Sequence, residues 1–358
     1  MEKTLDKIRF VDRTRVPEIK AHLDDLTKPQ GSLGALEKMA LRYVLASGEL
    51  NPKVGAKRVC VFAGDHGLVE EGLTFSGQEV TAQVVRNMLS GGAGINVFSR
   101  HVGVDVEIVD VGVATDLSDA DGLIDRKLQW GTQNIRKKPA MSRETCLQAI
   151  QVGIERAEKA ASDGIRLLAT GEMGIGNTTP SSALMAALLP CAVSEVTGPG
   201  AGFHEPGLLA EKVKLIEDAL ALHADQLSDS IAALAAVGGL EIAAMCGLCL
   251  GGAAHRVPVV VDGFIASAAA LVACRIAPAV ADYLFLSHES AEPGHAVFAR
   301  EMGLDPILHL GLRLGEGTGA VLAMTLIDAS IRMYSEMATF SSARIANPPL
   351  NQRCFPVL

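Results

Sequence analysis

Short β-branched runs recur along this chain, and each ends in glycine beside a polar or acidic residue. The run at 59–63 leads into Gly64-Asp65-His66-Gly67, and that at 104–111 into Gly112. The run at 165–169 leads into Thr170-Gly171-Glu172, that at 257–261 into Asp262-Gly263, and that at 283–286 into Ser287-His288-Glu289-Ser290. A sixth apolar run, 306–310, leads into the glycine-rich stretch Gly311 to Gly319. Helical patterns fill the intervals at 78–90, 144–161, 178–189, 207–225, 264–277 and 319–337. Strand, loop and helix in alternation predict an α/β fold, a parallel six-stranded Rossmann-like sheet with helices on both faces. Ligands of such sheets lie beyond the carboxyl ends of the strands. The polar residues gather at those ends, so the pattern predicts one pocket lined by Gly-rich loops.

The core of this sheet is mostly Ala, Val, Leu and Ile, because hydrophobic residues make up 49% of the chain and aromatics only 4%. A net charge of −9 without a basic block argues against nucleic acid or an anionic membrane as the main partner. Local donors can still bind a small anion. The stretch 231–254 carries only Glu241 as a charge. It is rich in Ala and interrupted by Gly238-Gly239, so it reads as a buried helix pair and not as a membrane span. The seven cysteines are scattered and odd in number, and the charged start is unlike a secretory signal. Both features fit a reducing cytoplasm. Cys246 and Cys249 lie in an apolar helical context and read as buried thiols. The first fifty residues read as helices, with Ser32 as the candidate N-cap of a helix reaching about Ser47.

Several loops carry chemistry. The segment Gly171 to Pro180 joins a strand to a helix, and its backbone N–H groups would cradle an anion, with Thr178 and Thr179 as hydroxyl donors. It lacks the Lys-Ser/Thr ending of a P-loop and the glycine spacing of the dinucleotide fingerprint. A second Gly-rich loop, Thr197 to Gly202, precedes a helix with Lys212 and Lys214. Lys212 reads from sequence alone first as a solvated helix lysine, and second as a phosphate partner. Asp65 and His66 fit a turn and a hydrogen-bonded histidine. Ser290 fits a cap or a ligand contact. Glu316, among three glycines, is either a capping acid or a general base held over a ligand. No His-Glu-x-x-His spacing and no Gly-x-Ser-x-Gly elbow occurs. The site therefore reads as carboxylate chemistry on a phosphate-bearing substrate.

The run Gly171-Glu172-Met173-Gly174-Ile175-Gly176-Asn177-Thr178-Thr179 is highly specific. With Ala63 to Gly67, Gln78 to Gln83, Asp262 to Ile265 and Gly311 to Gly319, it closely resembles the nicotinate-nucleotide–dimethylbenzimidazole phosphoribosyltransferase family of cobalamin synthesis. The early turn Lys28 to Gly34 is similar to that family too, and the resemblance runs over residues 20–345. It implies a parallel α/β catalytic domain, 51–338, in a homodimer. A small helical domain would come from 1–50 and 339–358. It implies transfer of the phosphoribosyl group of nicotinate mononucleotide to a ring nitrogen of dimethylbenzimidazole. The products would be nicotinate and α-ribazole 5'-phosphate, with inversion at the anomeric carbon.

Carried over by motif, Glu316 is the catalytic base and Glu172 supports it. Met173, Gly174, Ile175, Gly176, Asn177 and Thr178 form the nucleotide loop. Lys212 and Ser290 fall on the phosphate or ribose side, and Gln83 on an edge of the base pocket. Gly202, Asp262, Leu314 and Gly315 complete the expected wall. Phe75 stands where some members carry a smaller polar residue, which bears on the accepted base. A neutral benzimidazole loses its N–H proton as it attacks, which requires one well-placed carboxylate. Desolvation among glycines, Leu312 and Leu314 would raise the Glu316 pKa. Nicotinate leaves as its ring nitrogen becomes neutral and no diphosphate departs, so neither cofactor nor metal is expected. Two other readings share these loops: a related transferase using another azole or a phenol, and a nucleotide-binding protein without catalysis. Carboxylates among anion-binding loops favour the enzyme.

Overall fold

The computed structural model describes residues 1–74, 76–200 and 207–346. Its centre is a six-stranded, all-parallel sheet of β1 (Ala56–Gly64), β2 (Asp105–Gly112), β3 (Ile124–Asp125), β4 (Ile165–Met173), β5 (Val259–Val261) and β6 (Leu284–Leu286), in the order β3-β2-β1-β4-β5-β6. The order reverses between β1 and β4, where loops leave the sheet in opposite directions and open a crevice.

Residue alternation explains why both faces are covered. Cys60 and Phe62 of β1, Leu168 of β4, and Val259 and Val261 of β5 enter one apolar cluster. Val59, Val61, Ala63, Leu167, Ala169 and Val260 point the other way into a second. Strands buried on both faces read as continuous apolar runs, which is why they were legible. The first cluster packs on the helices Arg143–Ser162, Thr178–Leu188, Leu240–Ala254 and Phe264–Ile276. The second packs on Glu79–Leu89, Gly94–Val102 and Thr318–Glu336.

The stretch 231–254 forms the expected buried pair, Ser230–Val237 and Leu240–Ala254. Gly247 explains its glycine content: a Cβ there would stand 1.9 Å from the Ile150 carbonyl oxygen, so the two helix backbones touch. Among the described residues no helix is long and apolar enough to cross a membrane. Cys246 and Cys249 are fully buried, and burial raises both thiols.

Two local expectations need correction. Residues 306–310 make only an isolated parallel bridge, His288 to Leu308, and the sixth strand is β3 at the opposite edge. Pro306 has no N–H to give to a ladder. The run gains only the bonds Ile307 N–H to Leu286 O (3.0 Å) and Leu308 N–H to Ser287 O (3.0 Å), with Glu289 N–H donating to Leu308 O (2.8 Å). Ser32 is not an N-cap. The helix Ala35–Ser47 starts after Gly34 without a side-chain cap. Glu37 instead accepts from Leu33 N–H at 3.0 Å and pairs with buried Lys28 at 2.8 Å.

A third, smaller cluster joins Ile19, Leu23 and Leu26 to Ala40, Val44 and Tyr334. It ties the helices Val16–Asp25 and Ala35–Ser47 to the end of Thr318–Glu336. The tail 347–358, expected to pack irregularly, lies outside the described residues.

Candidate active site

Beyond the carboxyl ends of β4, β5 and β6 lies a cavity of about 470 Å³. Its wall brings together Glu172, Met173, Gly174, Ile175, Gly176, Asn177, Thr178, Lys212, Asp262, Ser290, Leu314, Gly315 and Glu316. Gln83 is exposed, and its helix lends Val80 and Val84 to the wall instead. Gly202 and Phe75 lie outside the described residues.

Glu172 ends β4 with its side chain buried. It accepts from Asn177 Nδ2, five residues on. Burial pushes its carboxyl up to about 8, against the Asn177 hydrogen bond and helped by the charges of Asp262 and Glu241. Gly315 makes the approach possible. A Cβ there would sit 2.3 Å from Glu172 Oε1, and the backbone φ is +84°.

Glu316 itself has φ +62°, a conformation that L side chains rarely adopt. That turn carries its half-buried carboxylate to the N-terminus of the helix Gly94–Val102, where Oε2 accepts from Ile95 N–H at 3.0 Å. Burial raises its pKa, and the Ile95 bond opposes the rise. So Glu316 does cap a helix, but not the one it precedes. The helix Thr318–Glu336 is capped by Asp262, whose oxygens accept from Gly317 N–H at 3.2 Å and Ala320 N–H at 2.8 Å. Asp262 is buried, which raises its pKa.

The helix Thr178–Leu188 presents its N-terminus to the same cavity. Lys212 meets it there, buried and not solvated as a helix lysine usually is. Its Nζ donates to Thr178 Oγ1 at 2.9 Å and to Gly198 O at 2.9 Å. Burial lowers its pKa to about 8, and the charge of Glu292 opposes the fall. Glu292 accepts from Gly200 N–H at 3.0 Å. Sequence reading passed over Glu292, because an acid before Pro293-Gly294 looks like an ordinary helix start. Ser290 sits beside it, with Oγ accepting from Glu292 N–H at 3.4 Å.

Asp65 and His66 are fully buried but stand outside the wall. His66 Nε2 and Glu241 Oε1 are 2.7 Å apart beneath Gly174, and Asp65 accepts from Ala114 N–H at 2.8 Å. The His66–Glu241 pair braces the loop at Gly174.

The cavity wall therefore combines the carboxyl groups of Glu172 and Glu316, a helix N-terminus with buried Lys212 beside it, and the apolar Leu73, Val80, Val84 and Leu314. A phosphoribosyltransferase family model matches residues 8–345. The chain belongs to the nicotinate-nucleotide–dimethylbenzimidazole phosphoribosyltransferase family. The family member of that name from Pelodictyon phaeoclathratiforme is 52% identical over 346 residues, 97% of this chain and 98% of its own. The Geobacter metallireducens member is 51% identical over 345 residues, 96% of this chain and 98% of its own. A family crystal structure from Thermus thermophilus superposes with a TM-score of 0.88 at 43% identity, covering 94% of this chain and 100% of that one.

Proposed function

We propose that this chain moves the phosphoribosyl group of nicotinate mononucleotide to dimethylbenzimidazole, for the nucleotide loop of cobalamin. The products are nicotinate and α-ribazole 5'-phosphate. One observation carries the assignment of roles: the carboxyl groups of Glu172 and Glu316 and the buried Lys212 line the same cavity.

In this reading the phosphate lies at the N-terminus of Thr178–Leu188, with Gly176, Thr178, Lys212 and Ser290 around it. A ligand dianion there stabilises the charge of a lysine whose pKa burial has lowered. The aromatic acceptor lies against Val80, Val84 and Leu314. One ring nitrogen attacks the anomeric carbon as the C–N bond to nicotinate breaks, and the bonding pair leaves with the pyridine ring. The proton on the second ring nitrogen passes to Glu316, the less buried of the two acids. Glu172, whose pKa burial lifts to about 8, holds its proton at neutral pH. Holding donor and acceptor in line supplies much of the remaining rate.

The same reading includes a cytoplasmic homodimer with a small helical unit from the chain ends; the third apolar cluster supports that unit. Light scattering tests the dimer. The activity is tested by mixing the protein with nicotinate mononucleotide and dimethylbenzimidazole. Release of nicotinate with formation of α-ribazole 5'-phosphate is expected, and binding of both compounds without release would leave a binding protein.

A further inference from the structure

His288 is a cavity residue that the roles above leave unused. It lies just after β6, 3% exposed, in the cavity wall. On one side its neighbour is Asp262, whose charge also acts on Glu172. On the other side is Ser290, next to Glu292 and so to Lys212. In the proposed reading, a phosphoribosyl group with its anomeric carbon near Glu172 and Glu316 and its phosphate at Lys212 carries its ribose ring past these neighbours.

The local hydrogen bonds fix which ring nitrogen is free. Ser287 has one hydroxyl proton, and its Oγ donates it to the Asp262 carbonyl at 2.9 Å. The same Oγ lies 2.8 Å from His288 Nδ1. Because the serine proton is already engaged, Nδ1 is the donor in that contact. The Asp262 carboxylate, 3.9 Å from Nδ1, favours a proton at the same nitrogen. In the neutral ring Nε2 then holds a lone pair.

The ring cannot easily turn that lone pair away. A Cβ at Gly319 would stand 2.0 Å from Nδ1, so the helix backbone presses directly on the imidazole. His295 stacks on its other side with ring centroids 6.1 Å apart. The Nε2 edge faces Gly263, at 3.5 Å from a Cβ built there, with Ser290 Oγ close by.

We infer that His288 Nε2 accepts a hydrogen bond from a ribose hydroxyl of the phosphoribosyl donor and so selects a ribosyl over a deoxyribosyl group. This rests on the reading of the cavity given above. The ring-stacked, serine-anchored imidazole is a specificity-determining contact and takes no proton from the attacking base.

Two variants and three donors test it. His288→Asn keeps an amide donor near Ser287 but has no atom at the ε position. His288→Gln places an amide oxygen near that position. Each is assayed for kcat/KM with nicotinate mononucleotide and with its 2'-deoxy and 3'-deoxy analogues. For one of the two hydroxyls, the ribo-to-deoxy ratio should fall roughly 3- to 10-fold in His288→Asn. It should be partly kept in His288→Gln. Unchanged ratios for both hydroxyls, in a variant that melts like wild type, would overturn the contact.

If His288→Asn does not fold, the unaltered enzyme still decides. The ¹⁵N resonance of Nε2 should move upfield with the ribo donor and stay in place with one deoxy analogue. Identical shifts with all three donors would remove His288 from that role. Absence of any nicotinate release in wild type is a separate result and would overturn the proposed reaction instead.

Discussion

Glu172 and Lys212 line one cavity, and burial moves them in opposite directions, the acid up to about 8 and the base down to about 8. Desolvation disfavours the charged form of each, so both drift towards neutrality. What differs is how each is compensated. Glu172 already has the Asn177 amide as a partner within the protein. Lys212 has a hydroxyl, a carbonyl and only a nearby carboxylate. In the proposed reading the acidic groups are complete within the protein, and Lys212 is completed by the phosphate of the donor. Damage at the acidic groups should therefore appear in turnover, and damage at Lys212 in donor affinity.

Glu316→Gln breaks the acidic groups most severely. The amide oxygen can still accept from Ile95 N–H, so the loop should hold its shape, but it cannot take a proton. Nicotinate release should fall by about 10²–10⁴-fold, with calorimetric affinity for dimethylbenzimidazole nearly unchanged. Turnover close to wild type would take Glu316 out of the base role.

Lys212→Ala should do the reverse. Affinity for nicotinate mononucleotide should weaken by about 1.5–3 kcal/mol, the range for a charge-assisted hydrogen bond. Affinity for the free base should barely move. An equal loss for both ligands would mean that Lys212 holds the loop together and does not meet the phosphate.

Glu172→Gln sharpens the comparison through stability. Glu172 has a folded pKa of about 8 against an ordinary 4.5. Between those values the folded chain keeps a proton that the unfolded chain releases. The contribution is thus complete below the ordinary value and is lost as pH rises through about 8. Glutamine has no such loss, and the other titrating groups cancel between the two proteins. The Tm of Glu172→Gln relative to wild type should rise by about 2–5 °C between pH 5 and pH 8. A difference that stays flat with pH would show that Glu172 is ionised in the fold.

The parallel sheet was legible because strands buried on both faces leave uninterrupted apolar runs that end in glycine. Residues 124–125 were not, since two residues carry no periodicity, and 306–310 looked like a strand because hydropathy does not count missing N–H groups. The same divide runs through the site. An acid among glycines announced Glu316, but its partner Ile95 is 221 positions away and nothing local points to it. Lys212 sits in a helix whose Glu211, Lys212 and Lys214 look like a solvated face. Its burial depends on Gly198 and Thr178, brought in by tertiary packing. Glycine-bounded motifs describe backbone shape well. Ion-pair and hydrogen-bond partners belong to the assembled fold.

The smallest effect should come from removing metal ions. Glu172, Asp262 and Glu316 line one cavity, and three carboxylates in a pocket can hold a hard cation. Each of them, however, already accepts from the protein: Glu172 from Asn177, Asp262 from Gly317 and Ala320, Glu316 from Ile95. A cation would have to displace these donors, and two of them hold helix ends. Among the described residues no three His, Cys, Asp or Glu side chains are grouped to hold a metal. The chemistry gives a cation little to do, because the departing ring nitrogen loses positive charge where a diphosphate would gain negative charge. Initial rates in EDTA and after Mg²⁺ is restored, at fixed ionic strength, should agree. A rate that collapses in EDTA and returns only with Mg²⁺ would mean the acidic groups are completed by a ligand after all, and Glu316 would then no longer stand as a free carboxylate base.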